Sequence, residues 1–160
     1  MPRNVTSESA DLATIAALRG LSERYARAVD RRDGAAFAEV FVAEGRIQVF
    51  SPEDSPTPIG GDRGQCGPRR SARRRRLQIF QDPAFPRAVD LRGKGAVATG
   101  EVYCMAHHPS PLPRGGNADY VMFIRYADRH SRGEDGGWRI AERRVLVGWT
   151  ETRTANPIGG

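Results

Sequence analysis

Hydrophobic positions change period part-way along this chain, and the change divides it. In residues 9–31, Leu12, Ile15, Leu18, Leu21, Tyr25 and Val29 recur every three or four positions. That spacing predicts an amphipathic helix with one apolar stripe. Gly20 inside it weakens the helix by about 1 kcal/mol without breaking it. Residues 33–42 predict a second, short helix, with Asp33 as N-cap and Phe37, Val40 and Phe41 as its apolar face. The period then falls to two. Residues 45–50 alternate and predict a strand, and residues 88–91 and 96–106 predict a hairpin around Arg92-Gly-Lys-Gly95. Two longer runs, 119–129 and 137–150, close the chain as a meander. Helices followed by antiparallel strands is an α+β order. Helices lying across the concave side of a bent sheet leave room for one apolar pocket.

Residues 51–87 break the pattern. They hold Pro52, Pro56, Pro58, Pro68, Pro83, Pro86 and the run Arg73 to Arg76. A connection of this length without elements of its own is unusual inside a compact domain. Two readings stay open. One is a divergent, partly disordered insertion, because like charges repel and few apolar residues offset the entropy of ordering. The other is translation out of frame: 24 arginines against one lysine point to G+C-rich codons, which out of frame yield Arg, Pro, Gly and Ala. Either way, residues 62–87 are expected to be the least ordered part. The expected organisation is a flexible stretch 1–8, a single domain 9–152 and a tail 153–160.

A chain of 160 residues is one domain by size. No run reaches the ~18 apolar residues of a membrane span, and the first ten residues lack a leader pattern. A cytoplasmic location without membrane attachment is expected. The net charge of +6 is local: residues 62–87 carry eight arginines and two aspartates, a difference of six, so the rest is formally neutral. A nucleic-acid surface would spread its basic residues over a face, so nucleic acid is not an expected partner. Cys66 and Cys104 show no CxxC or metal-ligand spacing and read as free thiols, Cys104 in the core. No metal and no cofactor are expected.

Three segments carry a family resemblance. They are Gly100-Glu-Val-Tyr-Cys-Met-Ala-His-His108, Asp119-Tyr-Val-Met-Phe-Ile-Arg-Tyr-Ala-Asp-Arg129 and Gly137-Trp-Arg-Ile-Ala-Glu-Arg-Arg-Val-Leu-Val-Gly-Trp-Thr150. Together they resemble the SnoaL-like and scytalone-dehydratase-like families of the nuclear-transport-factor-2-like superfamily. The resemblance covers residues 9–50 and 88–152. It implies a cone-shaped, strongly curved, mostly antiparallel sheet with N-terminal helices enclosing one pocket, a cystatin-like α+β barrel. It also implies a homodimer formed through the outer, convex face, in keeping with the consecutive apolar residues Val145-Leu-Val147.

The same resemblance assigns residues. Asp30 matches the aspartate that pairs with a histidine as general base in scytalone dehydratase and the related dehydrochlorinase. His108 matches the second active-site histidine, acting at the leaving hydroxyl, with His107 on the opposite face. Arg143 matches an active-site arginine on the final strand, a one-residue slip from Arg144. Tyr25, Phe50, Tyr126 and Arg143 are the expected substrate contacts. The dyad histidine that should face Asp30 is missing from residues 51–95. The plainer readings are a helix-end aspartate, core aromatics and surface histidines. The implied function is a cofactor-independent, dehydratase-like lyase or isomerase on a small hydrophobic or polyketide-type molecule. The alternative is a non-catalytic binding or dimerisation domain.

Overall fold

The computed structural model describes residues 8–9, 12–51, 54, 56–58, 60–63, 78–81, 90–92, 96–113 and 116–155. Helix α1 (Leu12–Arg31) buries Leu18, Leu21, Tyr25 and Ala28, the stripe that its spacing predicts. Leu12, at its start, is 85% exposed and adds nothing to that stripe. The helix ends at Arg32, whose φ of 56° is left-handed. Asp33 then caps α2 (Gly34–Glu39), its Oδ1 accepting the Ala36 N–H at 3.0 Å. Helix α2 is shorter than the sequence predicts. Phe41 and Val42 belong instead to strand β2 (Phe41–Phe50), where Phe41 pairs with Ile140. The strand bulges between Phe41 and Arg46. Gly45 is required there, because a Cβ would meet the Val42 carbonyl oxygen at 2.8 Å and Phe41 Cβ at 2.9 Å.

Three long strands dominate: β6 (Val97–Pro111), β7 (Asn117–Arg132) and β8 (Trp138–Ala155). Shorter ones are β1 (Glu8–Ser9), β3 (Gly60–Arg63), β4 (Gln78–Gln81) and β5 (Asp90–Arg92). The sheet order is β1-β5-β6-β7-β8-β2-β3, with β4 also pairing β6. All pairs are antiparallel except β2 with β8, so the sheet is mixed though mostly antiparallel. This is the expected curved α+β architecture. The stretch 51–87, read as lacking elements, contributes β3 and β4. The rest of the expectation about it, including Arg73 to Arg76, lies outside the described residues. Residues 153–155, expected in a tail, continue β8 against Asn117 to Asp119. Among the described residues no helix is long and apolar enough to cross a membrane.

Register assigns the two faces of the sheet. Residues directly opposite share a face, so Ala98–His130, Gly100–Asp128, Val102–Tyr126 and Cys104–Ile124 lie together. On the same face, β8 presents Ile140, Arg143, Val145 and Val147. Leu18, Leu21 and Tyr25 of α1 pack there with Val40, Phe41, Ile124, Tyr126, Trp138 and Val145, so this inner face holds the core.

Candidate functional site in the cone interior

A charged group stands in the middle of this core. Arg143 is fully buried, and its guanidinium makes two hydrogen bonds to Asp128 across β7 and β8, Nε to Oδ1 at 2.9 Å and Nη2 to Oδ2 at 2.6 Å. The side chains of both are fully enclosed. The bidentate fork uses the planar geometry that only arginine offers. Two aromatic rings adjoin it. Arg143 Cζ is 4.1 Å from the ring centre of Tyr25 and 4.2 Å from that of Tyr126. The rings contact each other edge-on at 5.8 Å, so they stand on adjacent sides of the cation. Helix α1 thus supplies one ring and strand β7 the other.

Burial penalises the charge on Arg143, but the Asp128 carboxylate outweighs this and raises its pKa, so it stays protonated. Burial raises the pKa of Tyr25 and, more strongly, of Tyr126, against the lowering effect of Arg143. Both phenols stay neutral donors. Burial also raises the Cys104 thiol. His130 completes the group, with Nε2 3.8 Å from Asp128 Oδ2. Burial lowers its pKa, Asp128 partly restores it and Arg143 lowers it further, so the ring is a neutral imidazole. Among the described residues, Arg143 Nη1 and both ring nitrogens of His130 are buried without a hydrogen-bond partner. An unmatched buried donor is costly, so this interior has unused capacity for an acceptor.

Tyr25, Tyr126 and Arg143, expected as substrate contacts, are therefore assembled into one cluster. Phe50 is placed elsewhere. It pairs with Leu146 and lies under Arg144 at 4.6 Å, on the outer face. Asp30 sits on the last turn of α1, on its exposed side. His108 shares the inner face with Tyr120, ring centres 5.8 Å apart. Its Nδ1 donates to the Tyr120 carbonyl at 3.0 Å, which leaves Nε2 as the basic nitrogen of the neutral ring. His107 lies on the opposite face, as alternation requires. Its Nδ1 donates to Asp119 Oδ2 at 2.6 Å, and Asp119 Oδ1 accepts the His108 backbone N–H at 3.1 Å.

Sequence reasoning missed Asp128, His130 and Asp119. A signal existed for the first two. Ile124, Tyr126, Asp128 and His130 are two apart, so an acid and an imidazole fall in phase with apolar residues that face the core.

The SnoaL-like domain family matches residues 10–144. Among curated protein sequences none matches. Several solved structures share the fold. A protein proposed to be a scytalone dehydratase, from Novosphingobium aromaticivorans, is 18% identical with a TM-score of 0.69, covering 93% of this chain and 95% of that one. A type 2 hexachlorocyclohexane dehydrochlorinase (LinA) is 14% identical with a TM-score of 0.68, again covering 93% and 95%. The β subunit of a proposed aromatic-ring-hydroxylating dioxygenase from N. aromaticivorans is 16% identical with a TM-score of 0.65, covering 87% and 93%. At these identities the likeness establishes the fold. With the family matched over most of its length, this chain belongs to the SnoaL-like domain family.

Proposed function

We propose that the chain is a cofactor-independent acid–base lyase or isomerase of the dehydratase type, acting as a homodimer on a small hydrophobic or polyketide-type molecule in the cone. The observation that carries this reading is Arg143: a permanent cation on the inner face, fixed by Asp128, with no acceptor for Nη1 among the described residues. A substrate carbonyl oxygen seated against Nη1 would supply that acceptor. The fixed cation then stabilises the negative charge that develops on this oxygen when the adjacent carbon loses its proton. Asp30 takes that proton. His108 Nε2, once protonated, gives a proton to the hydroxyl on the next carbon, which leaves as water while the double bond forms. Tyr25 and Tyr126 hold the guanidinium and wall the site. The likeness to a dehydratase-type protein and to a dehydrochlorinase supports the same class of elimination.

Turnover of a panel of β-hydroxy carbonyl compounds tests this. The double variant Asp30→Asn with His108→Ala alters two residues outside the packed core and should fold. It should lose at least roughly 100-fold in kcat/KM. Unchanged turnover removes both assignments.

A second reading is a non-catalytic binding domain. Asp30 lies on the exposed side of α1, and residues 51–95 contain no histidine to pair with it. On that reading the same ligands bind, as read by Trp138 fluorescence or calorimetry, and none is converted.

A further inference from the structure

His130 is a buried titratable group that takes no part in the elimination. It is 4% exposed, and among the described residues neither ring nitrogen has a hydrogen-bond partner. A neutral imidazole has one N–H to donate and one lone pair to fill, whichever tautomer it adopts. Leaving both unmatched in a core is costly, and protein interiors rarely do so. The Ala98 carbonyl, opposite His130 on β6, favours a proton on the ring but does not reach hydrogen-bond geometry. Asp128 Oδ2, 3.8 Å from Nε2, is also too far.

The other unmatched group stands beside it. Asp128 Oδ2 accepts from Arg143 Nη2 at 2.6 Å, and the same oxygen is the one that faces His130 Nε2. Imidazole and guanidinium therefore meet at a single atom, within the span of one small molecule. Strand β6 does not fill the space next to them. His130 is opposite Ala98 and Asp128 is opposite Gly100, so β6 contributes one methyl group and one missing side chain.

Position decides which part of a substrate reaches the ring. Along β7, Asp128 lies between His130 and Tyr120, the residue opposite His108. His130 is thus beyond the cation, at the end away from the proposed acid. With a carbonyl oxygen on Nη1, the carbon chain bearing the leaving hydroxyl runs toward His108 and the other substituent of the carbonyl runs toward His130. A hydroxyl suits that place. It donates to a bare ring nitrogen or accepts from a protonated one, so either tautomer is satisfied. An apolar group would leave the ring unmatched, and a second carbonyl could answer only its N–H.

We infer that His130 is a specificity-determining residue of the cone: it binds a second, retained hydroxyl on the far side of the carbonyl held by Arg143, and so selects hydroxylated ketones over their deoxy counterparts. The inference rests on the carbonyl site at Arg143 stated above and specifies what flanks it. A buried polar group matched only by the right ligand discriminates more sharply than an apolar wall, because the wrong ligand leaves it unpaired.

Calorimetry with matched pairs of β-hydroxy ketones tests it. One member carries a hydroxyl on the carbon beyond the carbonyl, and the other carries a methyl group there. The wild type should bind the hydroxylated member at least about 10-fold more tightly. His130→Phe should erase the preference, and His130→Gln, which keeps a donor and an acceptor, should retain part of it. A purely structural role would weaken both members alike and leave their ratio unchanged. A second measurement needs no substitution at His130. The chain has three histidines, so variants of His107 and His108 assign the ring-nitrogen resonances of labelled protein. In the wild type the hydroxylated member should move the His130 resonances to hydrogen-bonded values, and the methyl member should not. Equal binding of the two members, a preference that survives His130→Phe, or unmoved His130 resonances would overturn the role of His130 and leave the Arg143 site standing. Binding of neither member would overturn both.

Discussion

The two faces of the sheet hold the same kind of ion pair in opposite surroundings. On the inner face Asp128 and Arg143 face each other with no solvent contact, flanked by Tyr25 and Tyr126. On the outer face Arg125 meets Glu101 at 2.5 Å, with side chains 28% and 35% exposed. The chemistry is alike, a carboxylate and a guanidinium on neighbouring strands; the inner pair is directly opposite on β7 and β8, the outer pair diagonal on β6 and β7, and the two lie on opposite sides of the sheet. Inside, both ions have lost their hydration, so neither can lose the other without leaving a bare charge in the core. Outside, water replaces whichever partner leaves. A pair on one face is thus a fixed part of the interior, and a pair on the other is an adjustable part of the surface.

The most severe test removes one inner partner. Asp128→Ala strands the Arg143 guanidinium beside two tyrosine rings and should cost about 3–5 kcal/mol in urea unfolding. Replacing both, Asp128→Leu with Arg143→Met, should cost much less than the single change, because no unpaired charge remains. A single-variant cost no larger than the double would show that the inner charge is solvated, and the contrast between the faces would fail.

That contrast was only half legible in the sequence. The alternation from Asp119 to Thr150 announces the strands, and the stripe from Leu18 to Tyr25 announces the helix that covers them. The sequence reading also names Tyr126 as a pocket contact, and the family resemblance singles out Arg143. Neither places Asp128 opposite Arg143. That juxtaposition depends on two irregularities in the β7–β8 ladder, at Phe123/Ile124 and Arg129/His130, and one slipped residue would send Arg144 inward instead. Strand β2 alternates as its sequence reads, Ile47 and Val49 packing against the core and Phe50 turning to the opposite face, but its parallel partner β8, about a hundred residues away, is not legible locally. Helix propensity extended α2 too far, because pairing of Phe41 with Ile140 overrides a local preference.

A second test uses acid. His130 is buried beside Asp128 and Arg143, and its folded pKa lies below the ordinary value near 6.5. The unfolded chain then takes up a proton before the folded one does. Stability is full above about pH 6.5 and is lost as pH falls from there through the lowered folded value. His130→Phe should flatten this part of the stability–pH curve while leaving wild-type stability as the reference at pH 8. An unchanged slope in His130→Phe would show that the inner face tolerates charging and is not dry.

A smaller effect is expected at the turn that sets the two faces in register. Between β7 and β8, Gly133 N–H bonds to the Gly137 carbonyl at 2.8 Å, and Gly136 N–H bonds to the Gly133 carbonyl at 2.9 Å. Gly136 has φ +75°, and nothing lies within 4 Å of the Cβ it lacks. Gly136→Ala therefore meets only backbone strain, about 1 kcal/mol. The Asp135 carboxylate, held down to a pKa of about 2 by Arg139 and the Gly137 N–H, stays ionised and keeps the turn closed through most of the acid range. A loss well above that size, read by thermal unfolding, would mean that the turn fixes the register on which the Asp128–Arg143 pair depends.

The smallest effect belongs to the outer pair. Arg125→Ala leaves Glu101 with access to water, so the loss should not exceed about 1 kcal/mol. Salt should reduce what difference there is, since screening acts on exposed charges and hardly on enclosed ones. Adding salt to Asp128→Ala should not change its deficit in the same proportion. The two variants measured side by side at low and high ionic strength separate the faces by response as well as by size. If Arg125→Ala proved as costly as Asp128→Ala and as indifferent to salt, the outer face would already be dry in the single chain. The distinction would then lie in local packing around each pair, and the side of the sheet would not be its cause.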